Sequence, residues 1–96
     1  MYLRITNGRF DPARIDDVMP LAQRVTAAVE GLPGNQSQVL GLDRTTGQCS
    51  NVSTWDTVEH AQFSRETAGA LGELVQRLQA VGVEFDPPVI METVTA

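Results

Sequence analysis

Two apolar stripes at helical spacing decide most of what this chain can fold into. Ile15, Val18, Met19, Ala22, Val25 and Val29 recur on one helical face, and Ala68, Leu71, Leu74, Val75, Leu78 and Val81 on another. A helix with one apolar stripe must bury it against a partner element. The segments around the stripes read as strands, so the partner is a sheet.

The helix boundaries are marked. Asp11-Pro12 opens the first helix, with the carboxylate as N-cap and proline at the first helical position. Pro20 removes one backbone hydrogen bond, to the Asp16 carbonyl, which predicts a kink. The stripe stays in phase across Pro20, which predicts one helix rather than two. Gly31 and Pro33-Gly34 stop it. Asp56 and Glu59, spaced like a capping box, predict a short helix to about Phe63. Ser64-Arg65-Glu66 reads as a restart into the second stripe, which Gly82 ends.

Residues 2–6 predict a first strand, broken at Asn7-Gly8. Residues 36–43 and 48–55 predict a hairpin whose loop, Arg44-Thr45-Thr46-Gly47, offers a glycine for positive φ. The third strand places Cys49, Asn51, Ser53 and Trp55 on one face and Ser50, Val52 and Thr54 on the other; neither is plainly apolar. Phe85-Asp86-Pro87-Pro88 leads into a last strand over residues 89–95, its prolines confined to the start or to an edge. Strand, helix, strand, strand, helix, strand is the α+β, ferredoxin-like βαββαβ order, with an antiparallel four-stranded sheet and both helices on one face. Residues 1–96 read as one such domain.

That order leaves the second sheet face bare. Leu3, Ile5, Val39, Val52, Ile90 and Val94 cannot all be covered by two helices, and monomers rarely expose so large an apolar face. A homodimer joined through its sheet faces is the expected remedy.

Composition excludes more than it assigns. The net charge is −5, with seven arginines and no lysine, which argues against a nucleic-acid partner. No apolar run approaches the roughly 20 residues of a membrane span, and residues 1–6 lack the order of a signal peptide. Cys49 stands alone, so no internal disulfide forms, which fits a reducing, cytoplasmic location. With His60 the single histidine, no structural zinc site is expected.

Three segments together carry a resemblance: Pro33-Gly34-Asn35 between the first helix and the second strand, Trp55-Asp56-Thr57-Val58-Glu59-His60-Ala61 after the third strand, and Phe85-Asp86-Pro87-Pro88-Val89 near the end. In order and spacing the chain resembles the antibiotic biosynthesis monooxygenase-like family of dimeric α+β barrel proteins. The resemblance implies two ferredoxin-like sheets packed face to face, with a small-molecule pocket between each sheet and its helices. It also implies, for some members, oxidation of aromatic or quinol substrates by dioxygen with no cofactor. Haem-degrading members combine an asparagine late in the first strand with a tryptophan on the helix after the third strand and a histidine one helical stretch further on. Asn7 fits that pattern, but the helix has no tryptophan and no histidine follows Ala61, so haem degradation is not expected.

Histidine is the side chain whose unperturbed pKa lies near neutrality, so His60 is the candidate base for deprotonating a phenol or quinol; its alternative is an exposed helix residue. Asn7 and Asn51 are candidates to orient a substrate oxygen or a peroxide, although Asn7-Gly8 also suits a turn and Asn51 and Ser53 a hydrated interior. Trp55 is the candidate wall for an aromatic ligand, or a core anchor. Tyr2 and Arg4 share a strand face, where they can take an acidic ligand edge or form cross-strand pairs. Cys49 has no nearby His or Lys in sequence and reads as a small packing residue. The leading expectation is a cofactor-independent oxygenase for a phenolic or quinol substrate. The other is a non-catalytic dimeric ligand-binding or assembly module.

Overall fold

The computed structural model describes residues 1–64 and 68–95; the expected restart at Arg65-Glu66 lies outside them. One antiparallel sheet holds β1 (Tyr2–Arg9), β2 (Asn35–Leu42), β3 (Gln48–Trp55), β4 (Glu84–Phe85) and β5 (Val89–Glu92). Its order is β2-β3-β1, and β4 and β5 follow one another along the outer edge of β1. The helices are α1 (Ile15–Glu30), entered through a 3₁₀ turn at Pro12–Arg14, then α2 (Val58–Ala61) and α3 (Ala70–Ala80). None of these helices is long and apolar enough to cross a membrane.

β5 falls within the expected last strand; β4 pairs with β1 ahead of it, where only an extended entry was expected. Asp86 N–H still donates to the Asn7 carbonyl at 2.9 Å, but Pro87 and Pro88 have no amide hydrogen and separate the two strands there. β5 ends at Glu92 rather than at residue 95. β1, by contrast, does not break at Asn7-Gly8. It continues to Arg9, because Gly8 serves a close approach rather than a turn: a Cβ there would lie 2.6 Å from the Glu84 carbonyl oxygen.

Asp11 Oδ1 accepts from Ala13 N–H at 2.9 Å, as an N-cap should. Helix α1 runs in one piece through Pro20, which faces solvent. It buries Val18, Leu21, Ala22, Val25 and Val29, while Ile15 and Met19 are only half-buried. Leu21 joins the stripe because it stands three residues after Val18 and four before Val25. From the second stripe Ala68, Leu71, Leu74 and Leu78 are buried. Trp55, with no exposed surface, closes the core from the end of β3.

The β2–β3 loop forms as its composition predicts. Asp43 Oδ1 accepts from Thr45 and Thr46 N–H at 2.8 and 3.0 Å, which holds its carboxyl below the usual range, and Gly47 has φ +80°. The α2 cap lies one residue later than expected. Thr57 Oγ1 accepts from His60 N–H at 3.2 Å, while the Asp56 carboxylate meets the His60 ring instead.

Register decides which β3 face lies under the helices. Tyr2 pairs with Trp55, Arg4 with Ser53 and Thr6 with Asn51; fully buried Ser53 and Trp55 therefore carry Arg4, Thr6 and Asn51 to the covered side. On the uncovered side an apolar row crosses the whole sheet: Val39, Val52, Ile5 and Val89 are successive cross-strand partners. Leu3 and Met91 pair beside it. Val39 is 66% exposed and Val89 51%. Ile90, expected on this face, turns toward the helices, and Val94 lies beyond the end of β5.

The turn between α1 and β2 gives a first prediction. Gly34 has φ +79°, and a Cβ there would fall 2.3 Å from both Asp56 Oδ1 and His60 Nδ1. Replacing Gly34 with Ala is expected to cost about 1–2 kcal/mol for the left-handed backbone alone. It should also part the Asp56–His60 pair. Urea denaturation measures the first effect, and the imidazole NMR shifts measure the second.

Candidate functional site

Between the covered sheet face and helices α1 and α3 lies a cavity of about 300 Å³. Its walls are apolar: Val25 and Val29 from α1, Leu71, Val75 and Leu78 from α3, and Phe63 from the segment after α2. The sheet floor supplies Arg4, Thr6 and Asn51, and Ser64, Gln79 and Asp86 are the other polar residues that line the cavity. Few polar groups in an apolar concavity is the usual composition of a small-molecule site.

Arg4 is half-buried, and desolvation draws its guanidinium below its ordinary pKa. Nη1 donates to the Ala61 carbonyl at 2.7 Å and to the Phe63 carbonyl at 3.2 Å. These carbonyls at and just beyond the end of α2 have no helical partner, and the arginine satisfies them. The Phe63 ring lies 3.9 Å from the guanidinium carbon, a cation–π contact, and its other neighbour is Trp55, at 5.1 Å between centroids and tilted 47°. Trp55 donates from Nε1 to Ser53 Oγ at 2.9 Å. Trp55 therefore stands behind the cavity wall; Phe63 forms the wall itself.

Asn51 lines the cavity, and its Oδ1 accepts from Gln38 Nε2 on β2. That bond commits the acceptor and leaves the Asn51 NH₂ as the donor end. Gln38 Oε1 is buried and has no partner among the described residues.

Neither residue expected to act catalytically lines the cavity. His60 is exposed on α2, with Nδ1 2.7 Å from Asp56 Oδ1, and that hydrogen bond holds the Asp56 carboxyl below its usual range. Asn7 is exposed on the uncovered sheet face, where its Oδ1 accepts from Ser50 Oγ at 2.6 Å. The reason is parity. Asn7 is one residue out of phase with Thr6 on a strand that continues instead of turning. Cys49 is half-buried beside Gly8, and burial pushes its thiol pKa up, which suits packing and not nucleophilic attack.

Sequence reasoning missed Phe63, Thr6 and Gln38. Thr6 and Gln38 become visible once Asn51 is placed and the register is known. Phe63 follows a one-turn helix and carries no periodic signal.

No family model and no curated protein matches the sequence. Solved structures do. An antibiotic biosynthesis monooxygenase is 19% identical, with a TM-score of 0.74 over 99% of this chain and 100% of its own. SnoaB of Streptomyces nogalater, a cofactor-independent oxygenase, is 13% identical, with a TM-score of 0.71 over 99% and 94%. The ActVA-Orf6 monooxygenase of Streptomyces coelicolor, solved with the ligand Nanaomycin D, is 19% identical, with a TM-score of 0.73 over 99% and 88%. At these identities the likeness establishes the fold: this chain is antibiotic biosynthesis monooxygenase-like in its ferredoxin-like α+β architecture.

Proposed function

We propose that the protein binds a small aromatic molecule in the cavity and oxidises a phenolic or quinol substrate there with dioxygen, without a cofactor. The observation that carries this is the apolar cavity with the Asn51 donor on its floor. In such a reaction the ionised substrate supplies the electrons. One oxygen atom of dioxygen bonds to a ring C–H carbon and becomes a quinone carbonyl oxygen; the other leaves as water with that carbon's hydrogen and the hydrogen of the substrate hydroxyl. The Asn51 NH₂ is placed to donate to the oxygen that gains negative charge, the role of an oxyanion donor. Trp55 supports the site through Phe63. The working unit is a homodimer, and the lone half-buried Cys49 suits a reducing compartment, the cytoplasm.

A second reading, a non-catalytic ligand-binding or assembly module, draws on one observation. The only lining carboxylate among the described residues, Asp86, is engaged by Arg9 at the exposed end, and no histidine reaches the cavity. Oxygen uptake by the purified protein with a panel of quinols and polyphenols separates the two. Accelerated uptake with at least one substrate is expected, reduced about 10²–10³-fold by Asn51→Ala. His60→Ala should leave the rate within about twofold, since a residue without contact to the site couples to it weakly. Binding without any uptake would select the module.

A further inference from the structure

We propose that the cavity selects aromatic ligands bearing an anionic oxygen group, and that Arg4 is the residue that binds this group. The proposal rests on the cavity being the ligand site. Its first support is a missing counter-charge. Arg4 lies beneath the helices, yet none of the ion pairs among the described residues includes it. A guanidinium stays protonated at any physiological pH, and a partly desolvated cation without an anion is unfavourable. A ligand anion would relieve that cost.

The second support is the set of donors left over. Both protein acceptors, the Ala61 and Phe63 carbonyls, are taken by Nη1. Nε and Nη2 have no acceptor among the described residues. Together they form the edge that receives a carboxylate in two parallel hydrogen bonds. The Nη1 bonds and the Phe63 ring at 3.9 Å fix the plane of that edge before any ligand arrives.

The third support is the surroundings. Val25, Val29, Leu71 and Leu78 suit an aromatic frame and exclude water from the ion pair. Asp86, the one lining carboxylate among the described residues, is bound to Arg9. Its amide meets Asn7, three residues along β1 from Arg4, or about 10 Å at strand rise. It therefore neither neutralises Arg4 nor crowds the anion. A carboxylate and a phenolate share the required chemistry; the first fills both free donors with two oxygens, the second with one.

Calorimetry on the intact protein at neutral pH tests this with three probes: 1-naphthoate, its neutral isostere 1-naphthamide, and 1-naphthol. Naphthoate is expected to bind at least about tenfold tighter than naphthamide, as a charge-assisted hydrogen bond implies. Arg4→Met should remove that preference by weakening naphthoate alone, and Arg4→Lys, which keeps the charge, should retain part of it. Naphthol binding tighter than naphthoate, with the same loss in Arg4→Met, would support the proposal with a phenolate as the anion. Equal binding of naphthoate and naphthamide would overturn the role of Arg4 while leaving the cavity as a ligand site. No binding of any probe would overturn both. Should Arg4→Met fail to fold, the wild-type preference and the Arg4→Lys variant still decide.

Discussion

Replacing Trp55 with alanine is expected to remove most of the protein's stability in water at room temperature. Trp55 is the largest side chain with no exposed surface, and it joins the end of β3 to the core. Truncating a buried aromatic residue to alanine costs about 3–5 kcal/mol. A domain this small has a total stability near the low end of the ordinary range, about 5 kcal/mol. The loss is therefore comparable to the whole. Ser53 Oγ, buried beside it, would lose its only side-chain donor among the described residues, and Phe63 its backing. Trp55→Phe separates these causes: it keeps a ring against Phe63 and removes the N–H, so a smaller loss is expected. Far-UV circular dichroism against urea, at one protein concentration, measures both. A change below about 1 kcal/mol in the alanine variant would show that β3 is anchored elsewhere.

The elements were legible where a physical requirement left a repeating mark. One apolar face per helix produced the two stripes, and Gly47 marked the hairpin through its positive φ. Boundaries failed where one residue served a purpose with no periodic signature. Gly8 looked like a turn because Asn-Gly favours turns, yet it is small to admit the Glu84 carbonyl. Asp56 looked like a cap, but its carboxylate had a competing partner in His60, one helical turn on. The lining of the candidate cavity was legible in part. Asn51 was found as a polar residue on a strand, and Arg4 as a face-mate of Tyr2. Their meeting over one cavity depends on the β1–β3 register, which pairs Thr6 with Asn51 and is a long-range fact. His60 and Asn7 were chosen for what their side chains can do. Where those side chains point is fixed by strand parity and by the one-turn helix α2, and neither is written in residue type.

The uncovered sheet face leads to the second large effect: the protein is expected to sediment at twice the 10.4 kDa of one chain, and Val52→Lys to sediment at 10.4 kDa. The apolar row Val39, Val52, Ile5 and Val89 runs from one edge of the sheet to the other. Four strands about 4.8 Å apart and up to eight residues long at about 3.3 Å each present roughly 500 Å². Two such faces together reach about 1,000 Å², the lower bound for a specific interface, so the whole face has to be used. A two-fold axis allows this, because it sets the same row of each copy against the other. Val52 and Ile5 lie in the middle of the row, where an interface is driest and each contact counts most. A lysine at position 52 would place two ammonium groups in that centre without an anion. Burying an unpaired charge costs about 3–5 kcal/mol, enough to weaken the dimer by at least about two orders of magnitude. The monomer should still fold, because Val52 points away from the helices and Trp55. Sedimentation velocity at micromolar concentration, with circular dichroism on the same samples, gives the outcome. A wild-type protein that runs as a single 10.4 kDa species would overturn the dimer. A Val52→Lys variant that remains at twice that mass would place the interface on another surface.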